Sequence, residues 1–230
     1  MNILSLTLSF LLTLSVSAAF AWETALSTYE EQSSSSSVKA TWPRSGLARP
    51  DRDADELVRN AVSDFRDAAR QELASQLELR AEEPDMPLRP CEMILEGSLS
   101  DNGKVTSVVW KNYQYLGGAH GNLTLAARHY ATADGSPVLF KNLFRKPEKA
   151  LQLMSRLSRT NLAARGLPLD MVEPGTTPEE ENFQTFTLEK DGITLSFAPY
   201  QVAPWSEGVV TLFLSLKDLA DAEPRRAYWP

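Results

Sequence analysis

The chain has 230 residues but only two histidines. One of them, His120, sits in the run Tyr113-Gln-Tyr115-Leu-Gly117-Gly118-Ala119-His120-Gly121-Asn122. Imidazole titrates near neutral pH, so His120 could serve as a general base. A base needs a nucleophile or substrate beside it, yet no Gly-x-Ser-x-Gly elbow is present and no acid is tied to His120 by spacing. The surrounding glycines could let successive backbone N–H groups converge on an anion. The run lacks the Lys and Ser/Thr of a phosphate-binding loop, however, and it leads into strand-like sequence rather than a helix. Glycines serving a strained strand connection, and a backbone hydrogen bond for His120, are the plainer reading. His129, nine residues on, reads as a packed or surface histidine.

The remaining chemistry is sparse. Two histidines without HxH or HExxH spacing, and one cysteine without CxxC, make no recognisable metal site. Asp51/Asp53 and Glu179/Glu180/Glu181 read as solvated loops rather than paired catalytic carboxylates. Aromatic residues lie close to the glycine-bearing loops, and such residues either line a binding surface or fill a core. The candidate binding set is therefore Tyr113, Tyr115, Gly117, Gly118, His120, Asn122, Tyr200 and Trp205, with no metal and no cofactor expected.

Several elements must position these residues. Val38–Pro43 reads as a short edge strand stopped by proline. From Asp53 to about Arg80, Leu57, Ala61, Phe65, Ala69 and Leu73 recur at four-residue steps with Val58 and Val62 beside them, and Leu77 extends the stripe. This pattern predicts an amphipathic helix, capped by Asp53 or Asp55 and ended around Pro84. Residues 91–99 alternate Cys91, Met93 and Leu95 against Glu92, Ile94 and Glu96, as a strand does. Asp101-Asn-Gly103 is a hairpin turn into a long strand over 104–115. Val105, Val109, Tyr113 and Tyr115 share one face of it, with Val108 and Trp110 on the other. Another strand follows over 122–133. Pro147 suits the first turn of a helix that Gly166 would close. Asp191-Gly192 marks a second hairpin, and 209–214 reads as a buried strand. Helices set among hairpin strands predict an α+β fold, with a largely antiparallel sheet packed by the long helix and a second helix.

Composition bounds the rest. The chain is 43% hydrophobic and 23% charged, suited to one domain of moderate size. A net charge of −7 argues against nucleic acid as a partner, which needs a basic footprint. Residues 3–21 are apolar, uncharged and end in Ala19-Phe20-Ala21, a signal-peptide pattern cut after Ala21; an uncleaved anchor is the alternative, since the run is just long enough to span. The expected division is 1–21 signal peptide, 22–37 flexible leader around the five-serine run, 38–220 one α+β domain and 221–230 a tail. Cys91, the lone cysteine, reads as a core residue.

In order and spacing, several of these features resemble the DUF3298 family of bacterial exported domains, often preceded by a DUF4163-like half. They are Trp42-Pro43 before a helix containing Phe65; Tyr113-x-Tyr115-x-Gly117-Gly118-Ala119-His120-x-Asn122; Asp134-Gly135 after Tyr130; Leu143-Phe144; and Phe197-Ala-Pro199-Tyr200-x-Val202-Ala203-Pro204 with Gly208. The resemblance runs over about 38–220. It implies an α+β fold outside the cytoplasm, in a family related to the ectodomain of a lysozyme-sensing anti-sigma factor and to the accessory module of a peptidoglycan deacetylase. The reading is a periplasmic or secreted, non-catalytic binding or sensing domain of the cell envelope. Its partner would be a lysozyme-like cationic protein or peptidoglycan, with no stable membrane insertion after cleavage. A small envelope hydrolase using His120 is the alternative.

Overall fold

The computed structural model describes residues 25–230, so the expected signal peptide and its cleavage point lie outside the described residues. The chain first builds five strands: β1 (Leu26–Gln32), β2 (Ser36–Pro43), β3 (Cys91–Asp101), β4 (Val105–Tyr115) and β5 (Asn122–Ala131). They form one sheet in sequence order, β1-β2-β3-β4-β5. Neighbours are antiparallel except β2 and β3, which run parallel because the helix α1 (Ala48–Glu82) carries the chain back across the sheet between them. The fold is α+β with a mostly antiparallel sheet, as the sequence predicts, apart from this one crossover.

The α1 stripe forms, but its first half is centred on Ala54, Val58 and Val62, and Leu57, Ala61 and Leu73 are only half-buried. Ala54, Val58, Val62, Phe65 and Ala69 are buried against Val38, Ala40, Trp42, Met93, Leu95, Val108 and Trp110. Each fully buried Val or Phe of such a stripe contributes roughly 1.5–3 kcal/mol. Leu77 is 50% exposed and Leu79 56%, so the stripe ends sooner than the sequence suggests and the last turns project past the sheet. The buried position there is Gln76, whose side chain accepts from the Arg89 backbone N–H at 2.8 Å and donates to the Arg89 carbonyl at 3.2 Å. Neither Asp53 nor Asp55 caps the helix, because it starts at Ala48 after Leu47. Those carboxylates tie the helix to the sheet instead: Asp55 accepts from Trp42 Nε1 at 3.1 Å, and Asp53 from the Tyr130 hydroxyl at 3.1 Å.

Residues 25–37 correct the expectation of a flexible leader. β1 pairs along β2 from Leu26↔Pro43 to Gln32↔Ser37, so β2 is an inner strand and β1 the edge. The serine run makes the hairpin, with Ser33 Oγ accepting from the N–H groups of Ser35 and Ser36. Hydroxyls satisfy the turn's backbone where apolar burial cannot.

The second half carries α2 (Phe140–Leu143), α3 (Pro147–Ala164), α4 (Leu169–Gly175) and a three-stranded antiparallel sheet of β6 (Phe186–Leu188), β7 (Gly192–Phe197) and β8 (Val210–Ser215). Pro147 opens α3, and after it the Gly166 and Leu167 N–H groups bond back to the Ala163 and Leu162 carbonyls, as expected of a helix closed at glycine. Leu153, Met154, Leu162, Phe186, Leu188, Ile193, Leu195 and Phe197 fill this core, which also takes in Val105 of β4. Residues Val105–Trp110 are accordingly buried without a break, sandwiched between α1 and the second half. The expected tail over 221–230 is part of this core: Ala222 and Trp229 are buried, and Trp229 Nε1 donates to the Gly192 carbonyl at 3.3 Å.

Candidate functional site

The loop joining β4 to β5 carries His120, and the loop joining β7 to β8 carries Tyr200 and Trp205. The fold brings the two loops together. The Trp205 indole stacks on the His120 imidazole with centroids 5.2 Å apart at 24°. The Tyr200 hydroxyl lies 3.3 Å from His120 Nε2, and the Tyr200 and Trp205 rings are 6.1 Å apart. His120 Nδ1 is 2.8 Å from the Gly121 carbonyl. A carbonyl only accepts, so Nδ1 carries a proton, and in the neutral ring Nε2 accepts from the Tyr200 hydroxyl.

Tyr200 is 53% exposed and holds φ = 69°, a backbone region that costs a bulky residue of order 1 kcal/mol or more. The loop is pinned around it. Gln201 Nε2 donates to the Gly175 and Asn182 carbonyls at 3.1 and 3.0 Å, its Oε1 accepts from the Ala198 N–H, and Tyr200 N–H donates to the Ala203 carbonyl at 2.9 Å. Gln201 is the positioning residue that sequence reasoning missed, because its partners lie 19 and 26 positions away.

Two of the glycines, Gly117 and Gly121, are required by packing. Gly117 has φ = +75°, and a Cβ there would lie 2.6 Å from Glu72 Oε1 and 2.7 Å from Gln76 Nε2. Its carbonyl accepts from Arg89 Nη1 at 3.1 Å, so it closes the turn against the end of α1. A Cβ on Gly121 would overlap the Tyr113 ring. Gly118 is exposed and crowded by nothing closer than 3.9 Å. Tyr113 thus reaches the cluster through Gly121. Tyr115 stands opposite Glu92, and Asn122 opens β5 opposite Gln114; neither is among the three clustered rings.

Pleat alternation puts Tyr113, Tyr115, Ile94, Leu123 and Leu125 on the sheet face away from α1. All five are half-buried, and the carboxylates of Glu92 and Glu96 on the same face are exposed. Toward the second sheet a recess of about 190 Å³ opens between Leu125, Glu181, Gln184 and Gln201. That is below the usual size of a pocket enclosing a whole small molecule, so the site is a surface rather than a cavity.

His129 is buried where the two halves meet. Its Nδ1 lies 3.1 Å from Ser107 Oγ, which accepts from the Leu188 N–H at 3.2 Å, and its ring stacks on Phe186 at 4.0 Å. Burial first, then the Arg128 charge, pushes its pKa down to about 3. Ser107 and His129 touch as a nucleophile and base would, but Ser107 is fully buried and its oxygen holds a strand edge, so the pair is a stitch between β4, β5 and β6. Cys91 is buried, and burial raises its thiol pKa. Among the described residues no three His, Cys, Asp or Glu side chains converge as metal ligands would, and His120 has no carboxylate hydrogen-bonded to it.

Comparison with known proteins divides the chain at this site. Residues 24–123 match the family model "Deacetylase PdaC", and residues 141–217 match DUF3298, a family described as of unknown function. His120 falls in the first segment, Tyr200 and Trp205 in the second. A curated relative, the peptidoglycan-N-acetylmuramic acid deacetylase PdaC of Bacillus subtilis, is 28% identical over 103 residues, which is 44% of this chain. The match spans 22% of that protein's length. Crystal structures of DUF3298-family proteins from Bacteroides fragilis and Pseudomonas aeruginosa share the fold. Each has a TM-score of 0.58 and 13% identity, covering 87% and 90% of this chain and 93% and 97% of theirs. The chain thus resembles the PdaC family model over residues 24–123 and the DUF3298 family model over residues 141–217, on a fold shared with DUF3298-family structures.

Proposed function

We propose that this protein is an extracytoplasmic, non-catalytic domain that binds the cell envelope, with peptidoglycan as its first ligand. The observation that carries the reading is the His120–Tyr200–Trp205 cluster. It joins the two family segments, presents a half-exposed tyrosine held at a costly backbone angle, and lies beside a half-buried aromatic and aliphatic sheet face. Aromatic surfaces rigidly held at a loop junction suit recognition. The curated relative's name refers to peptidoglycan, which makes that polymer the first to test.

The surroundings of His120 favour binding over hydrolysis. Both ring nitrogens are engaged, by a carbonyl and a phenol, and Ser107, beside His129, is buried. The net charge of −7 and the exposed Glu92 and Glu96 favour a second ligand, a cationic protein such as lysozyme, whose binding would weaken with salt.

The test is retention of the purified chain on insoluble peptidoglycan and on immobilised lysozyme, at low and at physiological salt. Saturable retention on peptidoglycan supports the reading. Salt-sensitive retention on lysozyme alone moves it to the protein ligand. Retention on neither, together with turnover of wall fragments that His120→Ala abolishes, overturns it in favour of a hydrolase.

A further inference from the structure

A second surface, remote in sequence from the aromatic cluster, concentrates the opposite charge. Backbone bonds lay residues 143–146 alongside 222–225. Arg145 N–H donates to the Glu223 carbonyl at 3.0 Å, Lys146 N–H to Ala222 at 3.1 Å and Arg225 N–H to Leu143 at 2.9 Å. Phe144 and Pro224 form the bridge between them. This ladder gathers Lys141, Arg145, Lys146, Lys149, Arg225 and Arg226, all exposed. Among the described residues only Lys146 of the six is ion-paired, with Glu223 at 2.6 Å.

Three carboxylates, Glu148, Asp221 and Glu223, are interleaved, so the patch carries an excess of three positive charges; the whole chain carries −7, which leaves −10 on the remainder. One turn from Leu143, at the start of α2, Leu139 stands 51% exposed beside Lys141. An exposed leucine on the same segment as these mostly unpaired cations is the chemistry of a surface that meets anionic headgroups and dips one apolar side chain among them.

We propose that residues 139–149 and 223–226 dock the protein peripherally on an anionic phospholipid bilayer. The strongly acidic remainder is repelled by the same bilayer, so the patch fixes orientation as well as contact. Each cation near such a surface contributes roughly fivefold to partitioning. A bilayer accounts for Leu139 better than a soluble polyanion does, because a soluble polyanion gives an exposed leucine nothing to enter.

The experiment is co-sedimentation of the full chain with vesicles of phosphatidylglycerol and phosphatidylcholine, against vesicles of phosphatidylcholine alone. All variants share the apolar residues 3–21, so any partitioning those residues cause appears equally with neutral vesicles. The wild type is expected to bind the anionic vesicles more tightly than the neutral ones, and the difference to shrink as salt rises. Lys141→Glu, Lys149→Glu and Arg226→Glu together should cut that excess binding at least about tenfold. Arg59→Glu, Arg70→Glu and Lys39→Glu together, the same charge change on α1 and β2 away from the patch, should lower it far less. Leu139→Ser should weaken vesicle binding severalfold while leaving binding to soluble polyphosphate unchanged. Equal losses in the two triple variants, or no preference for anionic vesicles in the wild type, would overturn the proposal. Vesicle binding indifferent to Leu139→Ser and abolished by polyphosphate would overturn it in favour of a soluble polyanion.

Discussion

His129 gives the clearest residue-scale prediction. Its pKa is about 3 in the fold against an ordinary 6.5 in the unfolded chain. The unfolded state therefore binds the proton first. The stability this confers is complete above pH 6.5 and is lost as pH falls toward 3, by at most roughly 5 kcal/mol. His129→Gln should remove most of that slope, so melting curves of the two proteins should converge as pH falls from 7 to 4; parallel curves would contradict it. At Tyr200 the prediction runs in two directions at once. Tyr200→Gly relieves φ = 69° and should hold or raise stability by about 1 kcal/mol, yet it removes the ring and should abolish ligand retention. Loss of both together would mean that the ring is structural. The sequence showed His120, Tyr200 and Trp205 as types worth watching. It could not show their contact, because that depends on two loops about 80 positions apart meeting in space. Nor could it show that Ser107 accepts from the Leu188 N–H, since serine in an alternating strand looks the same whether it faces water or a second sheet.

At the scale of elements, the β4–β5 turn separates the two roles open to its glycines. Gly117→Ala meets a positive φ and the Glu72 and Gln76 side chains, and Gly121→Ala meets the Tyr113 ring. Each should cost about 1–3 kcal/mol in denaturant unfolding, while Gly118→Ala should be nearly neutral. The long helix, the two hairpins and α3 with its proline start and glycine stop were legible because each repeats a local rule of period or turn chemistry. β1 was not. Its outward face is polar and its turn is built of serines, so its evidence lies in pairing with β2, which no local pattern records. Removing residues 25–32 should therefore destabilise the fold measurably, since it strips the neighbour of β2 and the Tyr29–Glu31–Arg66 contacts. An unchanged melting temperature would restore the reading of that stretch as a loose leader.

On the scale of the whole molecule, the fold is two half-cores stitched through β4. One is an α1-backed sheet whose first four strands fall in the PdaC-model match, the other a small sheet under α3 within the DUF3298 match. Class and family were legible across this span because they rest on the order of many weak signals. The proposed ligand surface was not, since the His120–Tyr200–Trp205 cluster exists only where the halves meet. Surface charge is divided as well, with an acidic majority and one basic end, so envelope contact should be oriented rather than indiscriminate. The central claim is that the His120–Tyr200–Trp205 junction is what holds an envelope ligand. The most direct measurement is retention on insoluble peptidoglycan of the wild type, Tyr200→Ala and Trp205→Phe, with thermal melts run alongside. The account predicts at least a tenfold loss of retention in Tyr200→Ala with its fold intact, and a smaller loss in Trp205→Phe. Wild-type retention in both variants would contradict it and move the binding surface elsewhere on the molecule.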